Sequence, residues 1–285
     1  MKNNFFKPMK KILNKNNVIV YADLFQNKYN IKCLADQLYF FMKNQKNKTF
    51  VIPCYTNIFL YRTNKKKFFF NKRESKNGYL SNYLINKKGV FRSNHPTNSF
   101  LFIGKNAKKF ASYDIKNCSP HKIFEFIGFE NLISFGINWN GSNTFHVAEY
   151  ISGVSKKNLA CGLVGSFYKK NNKYKWFSLE HIHGCSEVHM NNYKKKYVSN
   201  KLVNIKNYGS LKIYFSDFKR LLDFEVNLLN KNIRYFMCKN KNCLYCGGLI
   251  TLDIQRLINF YVKNFIKIIK LLINGIAGSL NNRRF

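Results

Sequence analysis

One segment of the chain, residues 211–229, reads LKIYFSDFKRLLDFEVNLL and combines two patterns. Its first five residues are mostly β-branched or aromatic, which is typical of a strand. Ser216 can then cap a helix, because its hydroxyl accepts hydrogen bonds from the free amides of a first turn. The apolar residues that follow share one helical face: Phe218, Leu221, Leu222 and Val226. The segment predicts a strand followed directly by a helix.

The same order of strand and helix occurs near the start of the chain. Residues 18–21 predict a short buried strand, and residues 31–44 predict a helix with Ile31, Leu34, Leu38 and Phe41 on its apolar face. Short aromatic and β-branched runs, separated by Asn, Gly and Lys, predict further strands at 50–52, 58–61, 68–70 and 100–103. Strands and helices are therefore expected in the same part of the chain.

Three further elements follow from local signals. Ser119 and Pro120 form a helix start, and Gly128 is placed to end that helix. Residues 161–168 and 174–183 flank a Lys- and Asn-rich turn, which predicts a hairpin. Residues 251–275 predict a long amphipathic helix, with apolar Ile254, Ile258, Tyr261, Phe265, Ile268 and Leu272 opposite a basic and polar face.

These elements predict an α+β fold of mixed short strands and helices, with a long C-terminal amphipathic helix and Lys-rich loops. No repeat of fixed period and no Gly/Ser-rich linker is apparent in the sequence. One interpretation divides the chain into residues 1–155, an α+β part with basic loops, and residues 156–285, with the hairpin, a cysteine cluster and the last helix. The other interpretation is a single domain.

Charge is the most unusual property of the sequence. The chain has 49 Lys and Arg against 13 Asp and Glu, a net charge of +36, so most basic side chains cannot have an acidic partner within the chain. A phosphate backbone would neutralise them, which predicts binding to RNA. The longest apolar tract, 265–280, is interrupted by Lys267, Lys270 and Asn274, and this argues against a membrane span.

Basic clusters interleaved with aromatic residues favour the same interpretation, because Lys supplies charge and rings supply stacking. The candidate RNA-binding residues are Lys65, Lys66, Lys67, Lys72, Arg73, Lys105, Lys108, Lys109, Lys169, Lys170, Lys173, Lys175, Lys194, Lys195, Lys196, Lys263, Lys267, Lys270, Arg283 and Arg284. Each single cluster is equally compatible with a solvated loop.

Cys238, Cys243 and Cys246 are followed at once by two glycines, and three thiols within nine residues suggest a structural zinc site. Zinc needs a fourth ligand, for which Cys185 is favoured over His183, His189, Cys118 and His121. The spacing also resembles the cluster loop of plant-type ferredoxins, but no cysteine follows Cys246. Structural zinc, no metal and an iron–sulfur cluster all stay open, with zinc preferred.

Two further motifs suggest enzymes that act on nucleic acid. His181 and His183 alternate in a predicted strand, which resembles the metal-binding pair of His-hydrophobic-His nicking enzymes, with Tyr193 and Tyr197 as candidate nucleophiles. Residues 159–167 resemble the signature of the Leu-Ala-Gly-Leu-Ile-Asp-Ala-Asp-Gly homing endonucleases, but the acid that would bind the catalytic metal is absent.

Lysine far outnumbers arginine, and asparagine, phenylalanine and tyrosine are abundant, as AT-rich coding would produce. At class level the chain resembles an organelle-encoded ribosomal protein. This resemblance implies a non-catalytic, structural rRNA-binding protein of the mitochondrial ribosome in the matrix, with rRNA and neighbouring ribosomal proteins as partners and no small-molecule substrate. The alternatives are a metal-dependent nicking or replication protein that uses His181, His183 and Tyr193 or Tyr197, and a matrix-side accessory subunit of a respiratory complex.

Overall fold

The computed structural model describes residues 6–25, 30–56, 59–60, 74–113, 119–138, 142–157, 161, 164–170, 173–183, 193–238, 246, 258, 262, 265 and 269. Its strands are β1 (Asn17–Ala22), β2 (Thr49–Tyr55), β3 (Phe59–Leu60), β4 (Val90–Arg92), β5 (Asn98–Gly104), β6 (Leu132–Ile137), β7 (Val164–Lys170), β8 (Lys173–Ser178), β9 (Asn204–Tyr208) and β10 (Leu211–Asp217). Its α-helices are α1 (Ile31–Lys43), α2 (Tyr79–Leu84), α3 (Ala107–Ser112), α4 (Lys122–Ile127), α5 (Thr144–Ile151) and α6 (Phe218–Lys231).

A seven-stranded mixed sheet with the strand order β4-β5-β2-β1-β6-β10-β9 forms the centre of the molecule. β1 pairs in parallel with β2 on one side and with β6 on the other, and every other pairing in this sheet is antiparallel. The three parallel strands are almost continuously apolar, as strands buried on both faces are. Their carboxyl ends meet at one edge. A smaller sheet contains β3, β7 and β8.

Helices cover both faces of the large sheet. Because side chains alternate along a strand, Val18 and Val20 of β1 face one apolar cluster and Ile19 faces another. The first cluster contains Leu34 and Leu38 of α1, and the second contains apolar residues of α3, α4, α5 and α6. The sheet is therefore the middle of three layers.

The predicted α+β fold class is confirmed by this mixed sheet with its helices. Residues 18–21, 31–44, 50–52 and 100–103 correspond to β1, α1, β2 and β5, and the predicted hairpin corresponds to β7 and β8, in which Lys170 pairs with Lys173. The cap of α6 differs from the prediction. Asp217 caps this helix in place of Ser216, because its Oδ1 accepts from the backbone amide of Arg220 at 3.0 Å.

Other predictions differ from the structure or lie outside the described residues. Residues 164–167 belong to β7, so the homing-endonuclease resemblance, which needs a helix there, is wrong. Residues 68–70 and most of 251–275 lie outside the described part of the chain. Of the predicted last helix, Ile258 and Phe265 are described, and both are helical and exposed. The boundary between 155 and 156 stays a prediction. Among the described helices, none combines the length and the apolar character needed to cross a membrane.

Candidate active site

Five histidines from separate parts of the chain form what we call the histidine cluster: His95, His121, His146, His181 and His183. The ring centroids of His121 and His183 are 4.5 Å apart, and those of His146 and His183 are 4.9 Å apart. His95 precedes β5, His121 begins α4, His146 lies on α5, and the other two follow β8. Four elements therefore contribute to one titratable cluster.

Glu149 is the carboxylate within this cluster. Its Oε2 lies 3.0 Å from Nδ1 of His146 and 3.4 Å from Nδ1 of His183, so His146 is the closer partner. Nε2 of His183 in turn lies 3.1 Å from Nδ1 of His121. The side chains of His146, His183 and Glu149 are 18%, 9% and 3% exposed. His146 is thus the most accessible of these groups, and the other two lie behind it.

Burial alone would raise the pKa of Glu149, but the hydrogen bonds from His146 and His183 outweigh this effect and lower the pKa to about 2. Burial lowers the pKa of His121 well below its usual value, and the positive charge that its neighbour His183 can carry lowers it further. At neutral pH the cluster therefore contains an ionised carboxylate and a neutral His121.

The local sequence explains why His146 and Glu149 meet. They are three residues apart on α5, a spacing that places two side chains on one helical face. The start of this helix is tied to the sheet, because the backbone amide of Asn143 donates to the Tyr21 hydroxyl at 2.8 Å and its side-chain amide donates to the Tyr55 hydroxyl at 2.6 Å. Burial raises the pKa of Tyr55, so its hydroxyl keeps its proton.

A cavity of about 290 Å³ lies at the carboxyl ends of β1 and β2. Its lining includes Tyr21, Asp23, Lys76, Asn77 and Tyr79. In sheets with parallel strands, ligands bind preferentially outside the carboxyl ends of those strands. Tyr21 of this lining also contacts the start of α5, the helix that carries His146.

The geometry allows two kinds of chemistry. The ligand atoms of His146, Glu149 and His183 all lie within 4.8 Å of one another, so this group could hold a metal ion. The 3.0 Å contact between His146 and Glu149 also fixes a proton on Nδ1 and leaves the lone pair on Nε2, as in an acid–base pair of acyl-transfer enzymes. The arrangement is therefore compatible with metal binding and with acid–base catalysis.

The family comparison makes this assignment more specific. The model of the aminoglycoside 3-N-acetyltransferase family matches residues 46–230, about two thirds of the chain. The chain belongs to this family. A comparison with curated protein sequences gives no match.

Solved structures share the fold. The apoenzyme of aminoglycoside acetyltransferase AAC(3)-IVa is 13% identical with a TM-score of 0.68, and the alignment covers 88% of this chain and 96% of that one. AAC-IIIb in a binary complex with CoASH is 14% identical with a TM-score of 0.63, covering 81% and 95%. YokD from Bacillus subtilis is 17% identical with a TM-score of 0.59, covering 80% and 98%.

These findings overturn the functional interpretation of the sequence. The resemblance to a mitochondrial ribosomal protein is wrong, and so are its location in the mitochondrial matrix and the expectation of a non-catalytic protein, because the chain belongs to a family of acetyltransferases. The expected rRNA and ribosomal-protein partners and the absence of a small-molecule substrate are wrong too, since solved structures of this fold bind CoASH and gentamicin. The interpretation of the net charge of +36 as evidence for an rRNA partner is therefore wrong.

The nicking alternative is also not supported. His181 and His183 do lie close together, but Nδ1 of His181 contacts the Ser155 hydroxyl at 3.0 Å and His183 contacts Glu149. Tyr197 is fully buried among apolar side chains, where it cannot act as a nucleophile. The side chain of Tyr193 lies outside the described residues.

The predicted structural zinc is wrong as a cofactor, since a solved structure of this fold binds CoASH. Cys238 and Cys246 are both buried, and the Cys238 amide donates to the sulfur of Cys246 at 3.4 Å. Cys185 and Cys243 lie outside the described residues. Among the described residues, a group that could hold a metal comes instead from the histidine cluster: His146, Glu149 and His183.

Among the candidate RNA-binding residues, those with described side chains are exposed: Lys105, Lys108, Lys109, Lys175, Lys195 and Lys196. Lys169, Lys170, Lys173 and Lys194 lie in regular elements, and their side chains are outside the described part. The remaining candidates also lie outside it: Lys65, Lys66, Lys67, Lys72, Arg73, Lys263, Lys267, Lys270, Arg283 and Arg284. Contacts of these residues with a polyanion stay a prediction that no comparison tests.

Sequence reasoning missed the central pair of the site. Neither His146 nor Glu149 was a candidate, although a His and a Glu three residues apart on a helix are a local signal. His121 and His183 were candidates only as zinc ligands, and His183 also as part of a nicking site. The structure brings His183 to the carboxylate of Glu149 and His121 to the ring of His183.

Proposed function

We propose that this protein is an N-acetyltransferase that transfers the acetyl group of acetyl-CoA to a primary amine. The observation that carries the proposal is the 3.0 Å contact between His146 and the buried Glu149, in a chain of the aminoglycoside 3-N-acetyltransferase family. Sisomicin, gentamicin and apramycin are bound by solved structures of this fold, so aminoglycosides are the reference acceptors.

In this proposal His146 is the general base. Glu149 accepts a hydrogen bond from Nδ1, so Nε2 receives the proton of the acceptor amine as the amine nitrogen attacks the thioester carbonyl carbon. The new C–N bond forms, the C–S bond breaks and the CoA thiolate leaves. The proton on Nε2 can then pass to the thiolate, which yields an amide and a neutral thiol.

His183 and His121 support the base indirectly. Nδ1 of His183 and Nδ1 of His146 both contact Oε2 of Glu149, so two side chains orient this carboxylate. The contact between His183 and the fully buried His121 orients the second imidazole in turn. Such an outer partner fixes ring orientation and tautomer without contacting substrate. Both are positioning residues in this scheme.

The cavity at the carboxyl ends of β1 and β2 is the place where we propose that part of acetyl-CoA binds. It contains a positive side chain, Lys76, which suits a phosphorylated donor, and it adjoins Tyr21 beside the start of α5. A ligand that reaches from this cavity toward α5 would approach His146. Lys76→Ala should therefore raise the KM for acetyl-CoA more than it lowers kcat.

The experiment is thiol release from acetyl-CoA with a panel of amines that includes sisomicin, gentamicin and apramycin. His146→Ala should lower kcat by about 10²- to 10⁴-fold, the usual contribution of a positioned general base. Glu125→Gln, a neutralised acid on the exposed side of α4, is the matched control for Glu149→Gln. No thiol release with any amine, or full activity of a folded His146→Ala variant, would remove the proposal.

A further inference from the structure

Three side chains of the histidine cluster have the spacing of metal ligands. Oε2 of Glu149 lies 3.0 Å from Nδ1 of His146 and 3.4 Å from Nδ1 of His183, and the ligand atoms of the three residues all lie within 4.8 Å of one another. Two ligands of a tetrahedral transition-metal ion, each about 2.0–2.1 Å from the ion, are about 3.3 Å apart. The two short separations therefore match two edges of a coordination tetrahedron.

The surrounding structure holds this group in place before any ion binds. His146 and Glu149 are three residues apart on α5, and a carboxylate and an imidazole at this spacing recur in the metal sites of helix bundles. The ring nitrogen of His183 that would not bind the ion, Nε2, lies 3.1 Å from Nδ1 of the buried His121. Such an outer partner is what orients a metal-bound imidazole.

The exposure and the ligand types of the group define which ion it suits. The side chain of His146 is 18% exposed, against 9% for His183 and 3% for Glu149, so an ion reaches the group from the side of His146. Two imidazoles and one carboxylate suit divalent transition-metal ions such as Co²⁺ and Ni²⁺, whereas Mg²⁺ prefers oxygen ligands. Three protein ligands leave the remaining coordination position to water.

We propose that His146, Glu149 and His183 bind a divalent transition-metal ion reversibly and that the bound ion inhibits acetyl transfer. The inhibitory part rests on the proposed function. The ion takes the lone pair of Nδ1 of His146, so the proton that this nitrogen holds in the acid–base pair moves to Nε2. Nε2 then has no lone pair for the proton of the acceptor amine. In His183 the proton also moves to Nε2, where it can be donated to Nδ1 of His121.

Titration of the metal-free full-length protein with Co²⁺ alone tests the binding site without any reaction. We expect one ion per chain by equilibrium dialysis, and no displacement by excess Mg²⁺. His183→Asn and Glu149→Gln should each weaken Co²⁺ binding by more than about 10-fold, because loss of even an outer partner of a ligand costs about that much. His181→Asn is the matched control. Nδ1 of His181 contacts the Ser155 hydroxyl at 3.0 Å, so this variant should bind Co²⁺ almost as the wild type does.

X-ray absorption of the wild-type Co²⁺ complex tests the site without relying on the folding of a variant. We expect nitrogen and oxygen neighbours at about 2.0–2.2 Å, with the outer scattering of two imidazole rings. Sulfur in the first coordination shell would place the ion at cysteine residues and overturn the proposal. Absence of stoichiometric Co²⁺ binding would overturn it as well.

Inhibition is measured as the initial rate of amide formation, before released CoA thiol competes for the ion. Half-inhibition should occur at a free Co²⁺ concentration within about 3-fold of the Kd, and a chelator should restore the rate. Co²⁺ binding at these three residues with an undiminished rate would overturn the inhibitory role. Failure of the metal-free protein to acetylate any amine would remove the proposed function, whereas the binding and absorption measurements would still decide whether the metal site exists.

Discussion

His95 offers a sharp test of the buried histidine cluster. It is fully buried in the loop before β5, and its Nδ1 accepts hydrogen bonds from the backbone amides of Thr97 at 3.3 Å and Asn98 at 3.0 Å. A nitrogen that accepts from two amides has no room for a proton of its own. Burial lowers the pKa of His95 from 6.5 to about 3.

We predict that His95→Asn removes one pH-dependent loss of stability. The asparagine Oδ1 can accept from the same two amides, as in an Asx turn, but it does not titrate. Because the folded pKa of His95 lies below its unfolded value, the unfolded state binds more protons between pH 6.5 and 3. The stability of the wild type therefore falls as pH falls through this window, by at most about 1.4 kcal/mol per pH unit for one proton.

Between pH 6 and pH 4 this difference in the free energy of unfolding amounts to about 2.5 kcal/mol. Urea unfolding of both proteins at pH 7, 6, 5 and 4 measures it. A positive charge on His95 would also lower the pKa of His121, so the measured difference includes this coupling. A change in stability at pH 7 reports on the fit of the new side chain and does not affect the comparison of slopes. Parallel pH dependences of the wild type and His95→Asn would refute the reasoning.

Three further predictions concern the fold. Leu38→Ala should lower the free energy of unfolding by about 2–5 kcal/mol, because Leu38 of α1 is 1% exposed against the sheet; unchanged urea unfolding would contradict this packing. Asp217→Ala should cost about 1 kcal/mol more than Asp217→Asn, which keeps the cap of α6, and equal values would exclude a capping role. Gly104→Ala should lower the melting temperature more than Gly153→Ala. Both glycines have positive φ, but only at Gly104 would a Cβ lie 2.1 Å from the carbonyl oxygen of Lys48.

The sequence predicts elements whose apolar pattern is regular. α1 has a clear amphipathic stripe, and β1 and β2 are short apolar runs bounded by polar residues. α5 escapes this reasoning, because its polar residues Thr144 and Glu149 are buried along with Phe145, Val147 and Ala148, so polarity does not separate a buried face from an exposed one. β6 escapes it too, since a short continuous apolar run fits a strand or a buried helix equally well.

The site itself could be predicted only in part. His146 and Glu149 are neighbours on one helix, but His121 and His183 reach them from elements that are distant in sequence. Nothing in the local pattern records such long-range contacts. The functional interpretation relied on the net charge of +36 and was wrong for a physical reason. Net charge determines the electrostatic field that a binding partner meets, but it does not identify the fold.

The position of β1 in the sheet has a consequence for how the chain folds. β1 is made early, yet its parallel neighbour β6 lies more than a hundred residues downstream, and β10 must follow before β6 is itself covered. Closing such distant contacts is slow, because the entropy of a long loop is lost before the pairing is gained. In a chain truncated before β6, β2 can pair with one edge of β1, but the other edge has no partner, so such a chain should collect in inclusion bodies when expressed.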